Sequence, residues 1–209
     1  MSKKSGNGDS GVVRPYPPAD FGWFAPAPEV LAWIKTQILA KDGYLYNPDH
    51  DHLIDADVQI LWSGVENISK QRQVLGQCEK VFFKGGAWSV ARQELQMIQW
   101  FGDVPDFLIT LDANYCSECD DAEFCALVEH ELYHIAQALD KFGAPRFNQQ
   151  TGEPVFAIRG HDVEEFVGVV RRYGASSAVQ KMVEAAKGRP EVAGVNIAKA
   201  CGTCLMRVA

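Results

Sequence analysis

The chain has 209 residues, of which 47% are hydrophobic and 22% charged, and its formal net charge is −7. This length fits one domain with a sizeable core, and the composition is that of an ordinary globular protein. The negative charge argues against a protein whose main task is to grip the nucleic-acid backbone, because that affinity comes mostly from neutralising phosphates.

The sequence predicts the location of the protein and the limits of its main domain. The N-terminus has no apolar segment typical of a secretory signal, and no run of about 18 apolar residues predicts a membrane span. We therefore expect a cytoplasmic protein whose cysteines stay mostly reduced. Residues 1–22 are rich in Ser, Gly, Pro and charge and predict a disordered tail. Residues 23–175 are predicted to form the main domain, with residues 176–209 as a C-terminal helix and extension packed on it.

The spacing of apolar residues predicts both helices and strands, and so an α+β fold. A helix is expected from Pro26 to about Leu39, before a polar stretch, Asn47–His52, that indicates a turn with solvated His50 and His52. The later predicted elements, in chain order, are strands at 58–62 and 79–83, a helix from 88 to about 102, a strand at 106–112, and helices at 161–174 and 178–186.

The most informative helix is predicted to start near Asp120 and Asp121 and to run to about Phe142, with Gly143 as its stop. One side of this helix should face the core, because apolar residues recur there at helical spacing. The members of this stripe are Phe124, Val128, Leu132, Ile135, Leu139 and Phe142. His130 and His134 fall on a different side.

Residues 130–134 read His-Glu-Leu-Tyr-His. On a helix, His130 and His134 lie one turn apart, so both imidazoles can hold one zinc ion while Glu131 serves as general base on a water molecule. This pattern predicts a zinc-dependent hydrolase, most simply a peptidase. So short a motif also recurs by chance on surface helices, and the surrounding residues decide between the two interpretations.

A catalytic zinc site usually takes three protein ligands. His161 is the favoured third ligand, since imidazole is the commonest neutral zinc ligand. Glu164 or Glu165 could bind the metal instead. Alternatively, Asp162 and Glu165 could contact the His161 side chain and so orient it toward the metal. The alternative for His161 is a role in capping the helix that starts there.

These motifs together resemble the phage metallopeptidases, which are small zincin-like proteins of bacteriophages and prophages. The resemblance covers roughly residues 28–174, and its motifs are His130–His134 after the strand Phe107–Leu111, then His161-Asp162 with Glu165-Phe166 and Tyr173-Gly174, and an upstream strand at Gln73–Val81. It implies a minimal zincin-like domain, with a small mixed β-sheet packed against the metal-binding helix and two or three further helices. It also implies His130, His134 and His161 as ligands and Glu131 as the catalytic residue. Gln137 and Asp140 exclude the metzincin subclass.

Two Cys-x-x-Cys pairs, Cys116/Cys119 and Cys201/Cys204, suggest a second, structural zinc site of four thiolates. Residues 120–200 separate the pairs, much more than the 15 to 20 residues typical of such sites. Free thiols and a disulfide are the alternatives. The hypothesis predicts two zinc ions per chain and fails if the chain binds one.

The expected activity is hydrolysis of a peptide or protein substrate, in the host cytoplasm if the chain is phage-encoded. Tyr173 is a candidate oxyanion donor by position, and an ordinary packed tyrosine is the alternative. Two other functions stay open: a hydrolase for another amide, such as cell-wall peptide, and a non-catalytic zinc-stabilised interaction protein, such as a host-defence antagonist or virion-associated factor. Substitution of Glu131 by Gln separates enzyme from binder.

Overall fold

A computed structural model describes residues 13–69, 71–164 and 167–190 and a strand at 205–207. The helices are α1 (Pro28–Ile34), α2 (Ala87–Phe101), α3 (Ala113–Glu118), α4 (Asp121–Tyr133), α5 (Val167–Tyr173) and α6 (Ser177–Lys187). The strands are β1 (Phe24–Pro26), β2 (Val58–Ser63), β3 (Ile68–Ser69), β4 (Arg72–Val74), β5 (Gly76–Lys80), β6 (Phe107–Asp112), β7 (Ile135–Gln137), β8 (Phe156–Ile158) and β9 (Leu205–Arg207). The predicted α+β class is confirmed. No helix in the described ranges is long and apolar enough to cross a membrane.

The main sheet has the strand order β1-β2-β6-β5. The central strands β2 and β6 are parallel, with Ile60 opposite Ile109, and the outer strands β1 and β5 are antiparallel to their neighbours. The sheet is therefore mixed, as the resemblance implied. β5 forms its edge within the described residues, and α4 packs beside β5.

One side of this sheet carries the main core. Alternate residues of a strand point to opposite faces, and Ile60, Trp62, Ile109 and Leu111 share one buried cluster with residues of α1 and α4. Trp62 also donates its indole N–H to Glu29 Oε1 of α1 at 2.7 Å. Packing within this cluster fixes α4 against the sheet and so determines where the histidines of α4 lie.

Helix α4 begins as predicted. The Asp120 side chain accepts the Glu123 N–H at 2.8 Å, while Glu123 Oε2 accepts the Asp120 N–H at 3.2 Å. This reciprocal capping satisfies two backbone donors that a helix N-terminus leaves open. Phe124, Val128 and Leu132 are buried, as the apolar stripe predicted.

The predicted end of this helix at Phe142 is wrong. α4 ends at Tyr133, and the following residues form β7, which pairs with β8 in a two-stranded antiparallel sheet. Ile135 is still buried, but Leu139 is 63% exposed and Phe142 81% exposed. Short apolar runs fit a helix or a strand equally well, and here pairing with a distant strand decides for the strand.

Two other segments differ from their predictions. Residues 48–55 form a short 3₁₀ helix instead of a turn, and His50 on it is fully buried rather than solvated. The helix predicted from His161 begins at Val167 in the structure, so His161 lies in the connection before it. Its end agrees with the prediction, because Gly174 follows Tyr173 with a left-handed φ of 90° that favours glycine.

Candidate metal centre

Three histidines meet at the C-terminal end of α4. The candidate ligand atoms of His130, His134 and His161 lie within 4.8 Å of one another, and Nε2 of His130 is 3.2 Å from Nε2 of His161. Two nitrogens bound tetrahedrally to one zinc ion, each about 2.1 Å from it, would lie roughly 3.4 Å apart. The spacing therefore fits a shared zinc ion. Across the described parts of the chain, no other group of three such side chains comes together.

The end of α4 and the hairpin β7–β8 bring these residues together. His130 lies in the last turn of α4, and His134 caps the helix while keeping helical angles (φ −70°, ψ −17°), so the two imidazoles stay one turn apart. The hairpin returns the chain to this point, where the Arg159 N–H donates to the His134 carbonyl at 2.8 Å. His161 follows Arg159 by two residues and so reaches the same place.

The His134 ring is fixed by a backbone carbonyl. Its Nδ1 lies 2.7 Å from the Arg159 carbonyl oxygen. A carbonyl only accepts, so Nδ1 carries the proton and Nε2 keeps its lone pair for a metal. Metal-binding histidines commonly have such a partner, which sets both tautomer and ring orientation.

His130 is also suited to bind a cation. Burial lowers the pKa of His130 to about 4, and the neighbouring His134 and His161 contribute in the same direction. The imidazole is therefore neutral at physiological pH and can donate a lone pair without first losing a proton.

Glu131 is fully buried, and neither of its carboxylate oxygens has a hydrogen-bond partner among the residues that the structure describes. Burial raises the pKa of Glu131 to about 8; the Cys78 backbone N–H acts weakly in the opposite direction, without completing a hydrogen bond. A buried carboxyl group without a partner is costly. Glu131 follows His130 directly in the chain, and such a carboxyl group is suited to a site that holds a metal ion and a water molecule.

A cavity of about 190 Å³ opens over the histidines. It is lined by the three histidines together with Tyr133, Arg159, Gly160, Asp162, Val163 and Met182. Sequence reasoning missed Arg159, which acts through its backbone and leaves no signal in its side-chain type, and Met182, which α6 contributes. Tyr133 lies inside the motif, and its position one residue before His134 was a usable signal.

The remaining predicted site residues are placed differently. Asp162 forms an ion pair with Arg159, and Glu164 Oε1 is 3.6 Å from His161 Nδ1 without joining the histidine group. Tyr173 is 76% exposed and is absent from the cavity lining. Glu165 lies outside the described residues. The structure thus brings together the three histidines, and their role as ligands stays a prediction.

Of the two cysteine pairs, one can be located. Cys116 and Cys119 are buried at the junction of α3 and α4, beside the guanidinium group of Arg14. A hydrogen bond from Cys116, helped by Arg14, lowers the pKa of the Cys119 thiol. Cys201 and Cys204 lie outside the described residues, so the four-cysteine site stays a prediction.

Comparison with protein families gave one match. A family model described as "putative phage metallopeptidase" matches residues 31–187, which is more than half of the chain and includes all three histidines. Comparisons with curated proteins and with solved structures gave no match.

Proposed function

Because the chain belongs to the phage metallopeptidase family, we propose that it is a zinc-dependent peptidase acting on a peptide or protein substrate, encoded by a phage or prophage and working in the host cytoplasm. One observation carries this proposal: the buried carboxyl group of Glu131, which has no hydrogen-bond partner among the described residues, follows His130 in the chain, and His130 belongs to a three-histidine group with the spacing of a zinc site.

His130, His134 and His161 would hold the zinc ion, which when bound lowers the pKa of a water molecule toward about 7 and polarises the carbonyl to be attacked. Glu131 takes a proton from the attacking water and returns it to the nitrogen of the leaving amine. Burial raises the pKa of Glu131 in the metal-free protein to about 8, and a bound cation nearby would lower this pKa, so that the carboxylate is ionised and can accept the proton. The Arg159 carbonyl keeps the His134 ring in orientation throughout.

The first test pairs Glu131→Gln with Glu164→Gln. The control residue is an exposed glutamate near His161, so both variants replace one carboxyl group close to the site with an amide. We expect both proteins to bind zinc with wild-type stoichiometry. Glu131→Gln should lower the cleavage rate of quenched fluorescent peptides by about 10²- to 10⁴-fold, the usual contribution of a general base, whereas Glu164→Gln should keep it.

Equal cleavage by the two variants would remove Glu131 from the chemistry. A zinc-loaded wild type that cleaves no peptide in a broad library would instead favour the non-catalytic interaction protein. In the same samples, the zinc count tests the cysteine site: the four-thiolate hypothesis predicts two ions per chain, and one ion after Cys116 and Cys119 are both replaced by serine.

A further inference from the structure

We infer that the segment Asn47–His52, which we call the positioning segment, fixes the metal-binding end of α4 and thereby sets the zinc affinity of the site. The inference rests on the proposed function, since it assumes that His130 and His134 bind zinc. None of the segment's side chains belongs to the three-histidine group. They act on the residues next to His130 and His134 in the chain.

The first contact holds the residue that follows His134. Nε2 of His52 lies 2.8 Å from the Ile135 carbonyl oxygen, so it carries a proton and donates it. Ile135 has already left the helix and opens β7. Helix C-termini fray because their last carbonyls lack intrahelical partners, and this bond restrains the backbone directly after His134.

The second set of contacts holds the residues that precede the two histidines. Asn47 Nδ2 donates to Glu129 Oε1 at 2.6 Å and to Tyr133 Oη at 3.0 Å. Tyr133 Oη in turn donates to Asp49 Oδ2 at 2.9 Å. Glu129 and Tyr133 are one helical turn apart and lie on one face of α4. The hydrogen bonds therefore restrain the face adjacent to the face that carries the imidazoles.

His50 fills the space between these contacts. Its side chain is fully buried, with Nε2 3.6 Å from Glu129 Oε1 and its ring edge-on to Tyr133 at a centroid distance of 4.5 Å. A buried ring between Glu129 and Tyr133 prevents both side chains from rotating. Together, the positioning segment contacts the residue before each helical histidine and the residue after His134.

A metal site binds tightly when its ligands are already in place, and loss of the groups that orient ligands typically costs about 10- to 100-fold in metal affinity. Core packing fixes the buried side of α4, and the Arg159 N–H holds the His134 carbonyl. The positioning segment adds a restraint on Glu129, Tyr133 and Ile135, which flank the two helical histidines. Its removal should therefore weaken zinc binding more than it disturbs the fold.

The test compares His52→Leu, which removes the donor to Ile135, with His52→Gln, whose amide can replace it. Asn47→Ser is the second variant: serine can still cap the 3₁₀ helix but is too short to reach Glu129. The control is Tyr46→Phe, which removes a hydrogen bond to Asp51 in the same region that does not involve α4. Zinc affinity is measured by competition with a chromophoric chelator, the ligand field by cobalt absorption, and fold stability by unfolding of the metal-free protein.

We expect His52→Leu and Asn47→Ser to weaken zinc binding by about 10-fold or more and to change the cobalt spectrum, while His52→Gln and Tyr46→Phe stay near wild type. A merely structural role would lower the stability of the metal-free protein and leave the zinc affinity of the folded protein unchanged, and that result overturns the inference. The proposed function fails separately, if the wild type binds no zinc or cleaves no peptide.

Discussion

Gly76 on β5 leaves just enough room for the Glu131 side chain. A Cβ atom at position 76 would lie 2.6 Å from Glu131 Oε1 and 3.0 Å from its Cγ and Cδ atoms. Contacts this short do not persist, so either β5 or the carboxyl group would have to move. Because β5 is paired along its length with β6, the Glu131 side chain is the part that gives way. The absence of a side chain at residue 76 therefore determines where Glu131, the proposed general base, lies.

We expect Gly76→Ala to lower the turnover number by at least about 10-fold, because displacement of a catalytic group by 1 Å can cost about 10²-fold. Zinc affinity should stay close to wild type, since the histidines do not move. Steady-state kinetics and chelator competition measure the two quantities. Gly22→Ala serves as control, because a Cβ there meets nothing within 4 Å. Unchanged turnover in Gly76→Ala would show that Glu131 is not held by this contact.

Single residues were predictable where their chemistry is local. The meeting of His130 and His134 on one face follows from helical spacing alone, and His161 could be chosen because the chain has only five histidines. The role of Glu131 stays a prediction. The prediction that His50 and His52 are solvated is wrong for His50, which is buried, while His52 is half-buried. Both contact α4 or β7, which lie more than 70 residues further along the chain. A sequence pattern reports which side chains can bind a metal, whereas long-range contacts determine which do.

At the scale of elements, the hairpin β7–β8 connects the two halves of the site. Its paired residues join the end of α4 to Arg159 and His161. The segment between the two strands, residues 139–154, contains two isolated β-bridges, and we call it the ribbon. On this ribbon, Leu139, Phe142 and Phe147 are each more than half exposed. The sequence predicted a continuous helix here because Leu139 and Phe142 extend the apolar period of α4. Both side chains are exposed, so the apolar spacing at these two positions does not reflect packing against the core.

We predict that the ribbon can be removed without loss of the metal site. The Ala138 N–H donates to the Val155 carbonyl at 2.7 Å, so residues 139–154 can be replaced by Asn-Gly, a pair that favours a two-residue hairpin turn. Zinc affinity and stability of the metal-free protein should match the wild type, because the deleted apolar side chains are solvated. Chelator competition and chemical denaturation test this. Weaker zinc binding by a normally stable variant would instead assign the ribbon a role in placing His161.

At the scale of the whole molecule, Arg14 links the N-terminal part of the chain to the junction of α3 and α4. Its guanidinium donates to the carbonyls of Cys116 and Cys119 at 2.7 and 2.6 Å and to Asp121 Oδ1 at 2.8 Å. The same group lies over the rings of Tyr16 and Phe124. The residue is only 4% exposed. Local composition could not reveal this role, because Arg14 stands in a segment rich in Pro, Gly and charge, and its hydrogen-bond partners are more than 100 residues away.

Removal of this link should destabilise the protein without changing its chemistry. We expect Arg14→Leu to lower the free energy of unfolding by roughly 2–4 kcal/mol, mainly because two carbonyl groups at the buried junction lose their donor; the ion pair itself adds less, since the Asp121 side chain is 58% exposed. The control is Lys187→Leu, which breaks an exposed ion pair with Glu184 and should cost less than about 1 kcal/mol. Denaturant unfolding of the metal-free proteins measures both. Equal losses in the two variants would mean that Arg14 contributes no more to stability than a surface charge, and that the junction of α3 and α4 does not depend on its guanidinium group.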